Sequence, residues 1–234
     1  MNLRLETAAM DALTLRLFDT IDERNMAWIM AADAALRHAF GEALIDLVPS
    51  YTTLLIHYDC RAMVFVEATS LAREALKDLQ PADTQNGQLH EIPVWYDESV
   101  GPELSQVAKR AGLSVEQLIK RHCGHDYCVF ALGFAPGYGF MGLVDESLAT
   151  PRLKTPRRRV AAGSVGIADR QTAIYPLLSP GGWNILGRTA VPLLEYARLG
   201  EPLFRPGDKV RFTAISKAEF EAAGGDTTPL EERA

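Results

Sequence analysis

From Tyr127 onward the sequence breaks into short β-prone runs, YCVFALGF, SVGIA, QTAIYP, WNILGRTA and KVRFTAI, parted by turns that contain glycine and proline. Strands this short and closely spaced bury their apolar faces only when the sheet rolls up or closes on itself. The C-terminal part of the chain therefore reads as a closed or rolled β structure. Pattern alone does not choose its strand order.

The first 80 residues have a different texture. Residues 14–19 alternate apolar and polar side chains and read as a strand. Met26, Ile29, Ala32, Leu36, Ala39 and Phe40 recur at helical spacing, and Gly41 follows as a stop. A β-branched and aromatic run at 52–58 predicts a second strand, and VEATSLAREALKDL predicts a helix over 66–79. Strand–helix–strand–helix makes a small α/β unit. The polar stretch PADTQNGQ (81–88) predicts the linker, so the domains are expected at 1–84 and 85–234, an α+β chain as a whole. Beyond the linker come a strand at IPVWY and a short helix in ELSQVAKRAG. Ser114 with Gln117, and Ser216 with Glu219, form capping boxes that predict two more helices.

Charge narrows the function classes. The 234 residues carry 24 basic and 30 acidic side chains, a net charge of −6, which disfavours a nucleic-acid binder. Five basic residues nevertheless crowd between Arg152 and Arg159, a patch suited to a small anion. No run of 18 uncharged apolar residues exists, and the acidic N-terminus lacks a secretory pattern. Three cysteines without a scaffold spacing agree with a reducing compartment, so a cytoplasmic protein is expected.

Several motifs invite over-reading. Gly137 to Gly142 matches G-x-G-x-x-G, but prolines soon after it forbid the helix that a dinucleotide site needs. His122, Cys123, His125 and Cys128 lie close together, yet adjacent residues rarely share one ion. No metal site is therefore expected. Cys128 and His57 read as structural residues within strands. Neither a P-loop nor a G-x-S-x-G elbow occurs.

The informative block is 133–189. Glycines 163, 166, 181, 182 and 187 allow backbone amides to face a ligand. Arg152, Arg157, Arg158, Arg159 and Arg188 offer forks suited to carboxylate or phosphate. Gln171, Thr172, Tyr175, Ser179 and Asn184 add neutral polar groups, and Trp183 can wall a pocket. The plainer alternative is a rigid β scaffold whose arginines are merely solvated.

The phrases PGYGFMG, TPR, AAGSVGIA, QTAIYP and SPGGWNILGRT, with LVPSYTTLLIHYD earlier, resemble the allophanate hydrolase subunit 1 family over about residues 10–215. That family includes the B component of bacterial 5-oxoprolinase and the sporulation-kinase inhibitor KipI. The resemblance implies a small N-terminal α/β domain followed by a cyclophilin-like β-barrel. It implies ATP-dependent opening of 5-oxo-L-proline to L-glutamate, with ATP and Mg2+ as cofactors and separate subunits A and C as partners. Because no ATP fingerprint is visible, the nucleotide is expected at or on the partner, with this chain inactive alone.

On this reading Arg157, Arg159 and Arg188 hold phosphate or substrate carboxylate. Gly163, Ser164 and Gly166 present amides, Gln171 and Tyr175 orient the lactam, and Trp183 closes the wall. Thr172, Gly181 and Gly182 join the binding set, with His122 at a position where the family often has histidine. The competing expectations are a KipI-like inhibitor docking on a histidine kinase, and a carboxyltransferase-type module of urea or allophanate metabolism.

Overall fold

A computed structural model describes residues 3–82, 87–195 and 201–230 of the chain. The chain divides into two compact units, 1–87 and 88–234. Most of the expected linker's centre, residues 83–86, lies outside the described residues.

The first unit is a four-stranded antiparallel sheet. Its strands are β1 (Arg4–Ala9), β2 (Ala12–Arg16), β3 (Leu44–Ser50) and β4 (Thr53–Tyr58), in the order β1-β2-β4-β3. Two helices, α1 (Asn25–Phe40) and α2 (Phe65–Ala75), pack against each other, and α1 also packs on β3 and β4. Met26, Ile29, Ala32, Leu36 and Phe40 make the buried stripe of α1, and Gly41 ends it at φ 51°. The first strand begins earlier than the alternation at 14–19 suggests, and β1 and β3 are additions to the expected set. Both lie on the outside of the sheet, where exposed side chains leave no period-two signal. Helix α2 ends at Ala75, four residues before the expected end. It buries Ala68 and Ala72.

The second unit is built on a seven-stranded mixed sheet: β5 (Leu89–Val94), β6 (Asp126–Leu132), β7 (Gly139–Gly142), β9 (Ser164–Ala168), β10 (Gln171–Ile174), β12 (Asn184–Arg188) and β15 (Lys209–Ala214). Their order is β12-β9-β10-β7-β6-β15-β5, with β15 and β5 parallel. The two ends meet. Trp95, just past β5, forms an antiparallel bridge with Arg188 at the end of β12, so the sheet closes into a barrel. Ile92, Val94, Val129, Met141, Val165, Ile167, Leu186 and Phe212 fill one core. Helices α3 (Leu104–Ala111) and α4 (Val115–Cys123) contribute Leu104, Val107 and Leu118 to it.

Both capping boxes form as the sequence predicts, at Ser114/Gln117 before α4 and at Ser216/Glu219 before α5 (Lys217–Ala222). A separate ribbon pairs β8 (Arg157–Val160) with β11 (Ser179–Gly181). The strands β13 (Leu194–Glu195) and β14 (Glu201–Pro202) pair as a second. The G-x-G-x-x-G segment ends in strand β7, with no helix inside it. Cys128 is buried in β6. No helix among the described residues is long and apolar enough to cross a membrane.

Candidate functional site

A second, smaller core lies beside the main one. Tyr138, Val160, Ala168, Ala173, Tyr175, Trp183 and Ile185 build it, together with Leu230 from the far end of the chain. Its aromatic rings meet edge-on or tilted: Tyr138 with Tyr175 at 5.3 Å, with Phe140 at 4.9 Å and with Trp183 at 6.0 Å. Phe134 continues the cluster outward, 5.2 Å from Tyr138, and is itself 63% exposed. Gly181 has to be glycine here, because a Cβ would sit 2.2 Å from the Tyr175 hydroxyl.

Charge surrounds this aromatic cluster. Arg152 lies over the Trp183 ring at 5.9 Å. Arg157 points inward from β8 and forms a buried ion pair with Glu103, whose other oxygen accepts the Ile185 amide at 3.0 Å. Arg157 Nε and Nη1 find no acceptor among the described residues. Burial raises the Tyr175 pKa, while hydrogen bonding to Trp183 and Tyr138 and the charges of Arg152 and Arg157 oppose the rise. Arg158 and Arg159 are exposed on the same strand, and neither forms an ion pair with any described residue.

Arg188 is the second buried cation, 2% exposed, at the barrel seam. One neighbour in the ladder is Ser164 and the other is Trp95. Its Nη1 donates to the main-chain carbonyls of Asp226 at 2.6 Å and Thr228 at 2.8 Å. Among the described residues its Nε and Nη2 have no acceptor, and the Ser164 hydroxyl has no partner. Burial lowers the guanidinium's pKa, with the charge of Asp226 opposing. Gly163 turns the chain beside it at φ 78°, where a Cβ would strike the Thr189 carbonyl at 2.2 Å.

His122 is fully buried on α4 and stacks on Phe212 at 4.7 Å. Its Nδ1 lies 2.7 Å from the Tyr96 hydroxyl and its Nε2 3.1 Å from the Thr172 hydroxyl. Thr172 donates to the Gly166 carbonyl at 3.2 Å. A hydroxyl has one proton, so Thr172 accepts from Nε2–H, and Nδ1 accepts from Tyr96. Burial pulls the His122 pKa down to about 3, leaving a neutral hub.

The residues singled out in the sequence thus fall into three places. Tyr175, Trp183, Gly181 and Arg157 stand around the aromatic cluster. Arg188, Ser164 and Gly163 stand at the barrel seam. His122, Thr172 and the Gly166 carbonyl form the hydrogen-bonded chain. Gln171 opens β10 opposite Ala168, at the other end of that strand from Tyr175. Arg159 faces outward, and the Gly182 carbonyl accepts the Leu153 amide at 2.7 Å.

The glycine amides are not bare. Gly163 N–H donates to the Tyr175 carbonyl at 2.7 Å, and Gly166 lies in the ladder between β10 and β12. Their lack of a Cβ serves close packing, since both stand against neighbouring backbone. Three participants carry no signal in sequence: Glu103, Tyr96 and the tail carbonyls. Leu230 does leave one, as a lone apolar residue in the polar tail GGDTTPL.

Residues 3–203 match the family model described as carboxyltransferase domain, subdomain C and D. The chain is 33% identical over 229 residues to the B component of 5-oxoprolinase from Bacillus subtilis (strain 168), covering 94% of this chain and 95% of that protein. It is 44% identical over 178 residues to the B component of 5-oxoprolinase from Escherichia coli O157:H7, covering 74% and 81%. The crystal structure of TTHA0988 superposes with a TM-score of 0.76 at 38% identity over 88% of this chain, which spans only 40% of that one. Urea carboxylase of Kluyveromyces lactis shares the fold, with a TM-score of 0.79 at 15% identity, over 98% of this chain and 23% of that one. The chain belongs to the carboxyltransferase domain, subdomain C and D, family, and within it to the allophanate hydrolase subunit 1 group that its motifs resemble.

Proposed function

We propose that this chain is the B component of an ATP-dependent 5-oxoprolinase, acting with partner subunits A and C to convert 5-oxo-L-proline to L-glutamate. The observation that carries the reading is end-to-end similarity to a protein named as the B component of that enzyme, over 94% of this chain and 95% of that one. The buried guanidinium of Arg188, with Nε and Nη2 lacking an acceptor among the described residues and Ser164 across the ladder, gives the reading a chemical anchor. A guanidinium fork with a neighbouring hydroxyl suits a carboxylate.

The lactam resists water because amide resonance stabilises it. Phosphoryl transfer from ATP to the lactam oxygen removes that resonance and releases ADP. Water then adds to the ring carbon, and the C–N bond breaks with its electron pair going to nitrogen, which takes a proton. A second water releases phosphate from the resulting acyl phosphate, leaving glutamate. Such chemistry asks for positioning and charge neutralisation more than for a nucleophilic side chain.

We assign Arg188 and Ser164 to the substrate carboxylate and Tyr175 and Trp183 to the wall. Arg159, exposed and without an ion pair among the described residues, is assigned to a phosphate, and Gln171 to orienting polar groups at the other end of β10. Arg157 is answered by Glu103 inside the chain and acts as a positioning residue. His122 is held between Tyr96 and Thr172 and keeps the barrel interior in register. Glu103 is already committed to Arg157 and the Ile185 amide, so ATP and its Mg2+ are assigned to the partner's side.

The docking face we assign is the rim of Phe134, Leu177 and Leu178, which are 63%, 37% and 55% exposed. Phe134 takes a left-handed φ of 67°, uncommon for a bulky residue, and stays displayed despite that cost. An exposed apolar rim also favours a second reading, in which the fold docks on a sensor kinase as an inhibitor.

The deciding experiment is co-purification with subunits A and C, followed by an assay for ATP hydrolysis stimulated by 5-oxoproline. Stimulation supports the enzyme. Its absence, with kinase binding present, supports the inhibitor.

A further inference from the structure

The described C-terminal segment does something that the function above does not require. After α5 packs Phe220 on Trp95 at 5.3 Å, Gly224 turns the chain at φ 80°. At Gly225 a Cβ would lie 2.4 Å from the Phe220 ring, so the chain hugs the helix as it turns. The segment then crosses Arg188, whose Nη1 takes the Asp226 and Thr228 carbonyls. It ends with the Leu230 amide donating to the Ser99 carbonyl at 2.8 Å and the Leu230 side chain buried among Tyr138, Tyr175 and Trp183.

This occupant matches its site only in part. Arg188 carries a full charge, and neutral carbonyls accept hydrogen bonds without cancelling it. Among the described residues no carboxylate pairs with Arg188. The nearby Asp226 carboxylate accepts the Thr228 amide at 2.9 Å instead. The Nε and Nη2 edge, the one a carboxylate grips with both oxygens, stays without an acceptor among the described residues, and so does Ser164 across the ladder. Buried polar groups are seldom left without partners, so an exception calls for an explanation.

We propose that residues 226–230 form a removable strap over a carboxylate-binding site, built from the Arg188 fork, Ser164 and the aromatic cluster. The Asp226 and Thr228 carbonyls hold Nη1 and lay the strap beside the Nε and Nη2 edge that a carboxylate would grip, and Leu230 stands in for the compact apolar body of the ligand. The ligand class is a small monocarboxylate carrying an uncharged ring. The inference rests on reading Arg188 as the receptor of the substrate carboxylate. It adds that the site is closed in the resting chain and opens when the strap leaves.

Two measurements test it. Calorimetric titration compares the full chain with a chain ending at Gly225, using cyclopentanecarboxylate and 5-oxo-L-proline as probes. At least tenfold tighter binding to the shortened chain is expected, and Arg188→Met in that chain should abolish it. A shortened chain that is folded by circular dichroism yet binds neither probe more tightly overturns the strap.

Because shortening can unfold the chain, hydrogen exchange is followed in the full-length protein. Saturating carboxylate should speed exchange of the Leu230 amide at least tenfold, and unchanged exchange overturns the proposal. If cyclopentanecarboxylate releases the strap and 5-oxoproline does not, the strap stands and the 5-oxoprolinase reading fails. If the assembled complex turns over 5-oxoproline while neither probe moves the strap, the strap fails and the enzyme reading stands.

Discussion

Trp95 and Arg188 exchange both of their main-chain hydrogen bonds, each at 2.9 Å, and this one bridge turns a seven-stranded sheet into a barrel. The same residue that seals the seam on its backbone carries on its side chain a buried charge with no carboxylate partner among the described residues. Fold and site therefore meet at Arg188, on a strand rather than a loop, which is how a rigid site is best held.

The seam leaves no room beside it. At Gly187 a Cβ would fall 2.5 Å from the Trp95 carbonyl, so Gly187→Ala must push the two strands apart. A cost of about 2 kcal/mol is expected, near the upper end of ordinary substitutions. Thermal unfolding should show a loss of roughly 4–8 °C for a domain of this size.

The buried pair of Glu103 and Arg157 predicts an asymmetric response. Glu103→Ala leaves a buried guanidinium without its partner and should cost about 3–5 kcal/mol. Replacing both residues together by Leu and Met should recover most of that loss. A double-mutant cycle in urea measures the difference.

His122 predicts an acid sensitivity with a definite sign. Its folded-state pKa, about 3, lies below its ordinary value of 6.5, so the unfolded chain binds the proton first. The stability it contributes is fully present above pH 6.5 and falls as pH drops toward 3, by at most about 1.4 kcal/mol per unit. Urea melts at neutral pH and at successively more acidic values should therefore show a decline that is smaller in His122→Gln. Equal slopes in the two proteins would count against the buried neutral histidine.

The exposed rim predicts a binding defect separate from any folding defect. Phe134→Asp and Leu178→Asp alter side chains that are 63% and 55% exposed, so the thermal midpoint should hardly move. Affinity for the partner should fall at least tenfold, about 1.4 kcal/mol, as for a central apolar anchor. Pull-down with titrated partner reads it directly.

Much of this fold was legible, for local reasons. The α1 stripe, the Gly41 stop and the two capping boxes are patterns set by near neighbours in the chain, and the structure has each of them. Strands β9, β10 and β12 were marked by their glycine and proline borders. β1, with most of its side chains exposed, and β3, which carries Pro49, are defined by pairing partners, and pairing is not written in a strand's own residues.

The candidate site divides the same way. Residue types pointed to Arg188, Tyr175 and Trp183, all now found buried. The Glu103–Arg157 pair spans 54 residues and the Arg188–Thr228 bond spans 40, distances over which sequence spacing carries no information. The glycines misled about amides, because the same lack of a Cβ serves close packing as well as ligand approach.

On the function proposed above, Arg188 meets the carboxylate of 5-oxoproline within a multisubunit enzyme. The most direct test is steady-state glutamate formation by the complete complex, with Arg188→Ala compared against the unaltered chain at equal assembly. A fall of at least tenfold in kcat/KM, about 1.4 kcal/mol of barrier, is predicted. Unchanged turnover by a correctly assembled Arg188→Ala complex would rule out Arg188 as the receptor of that carboxylate.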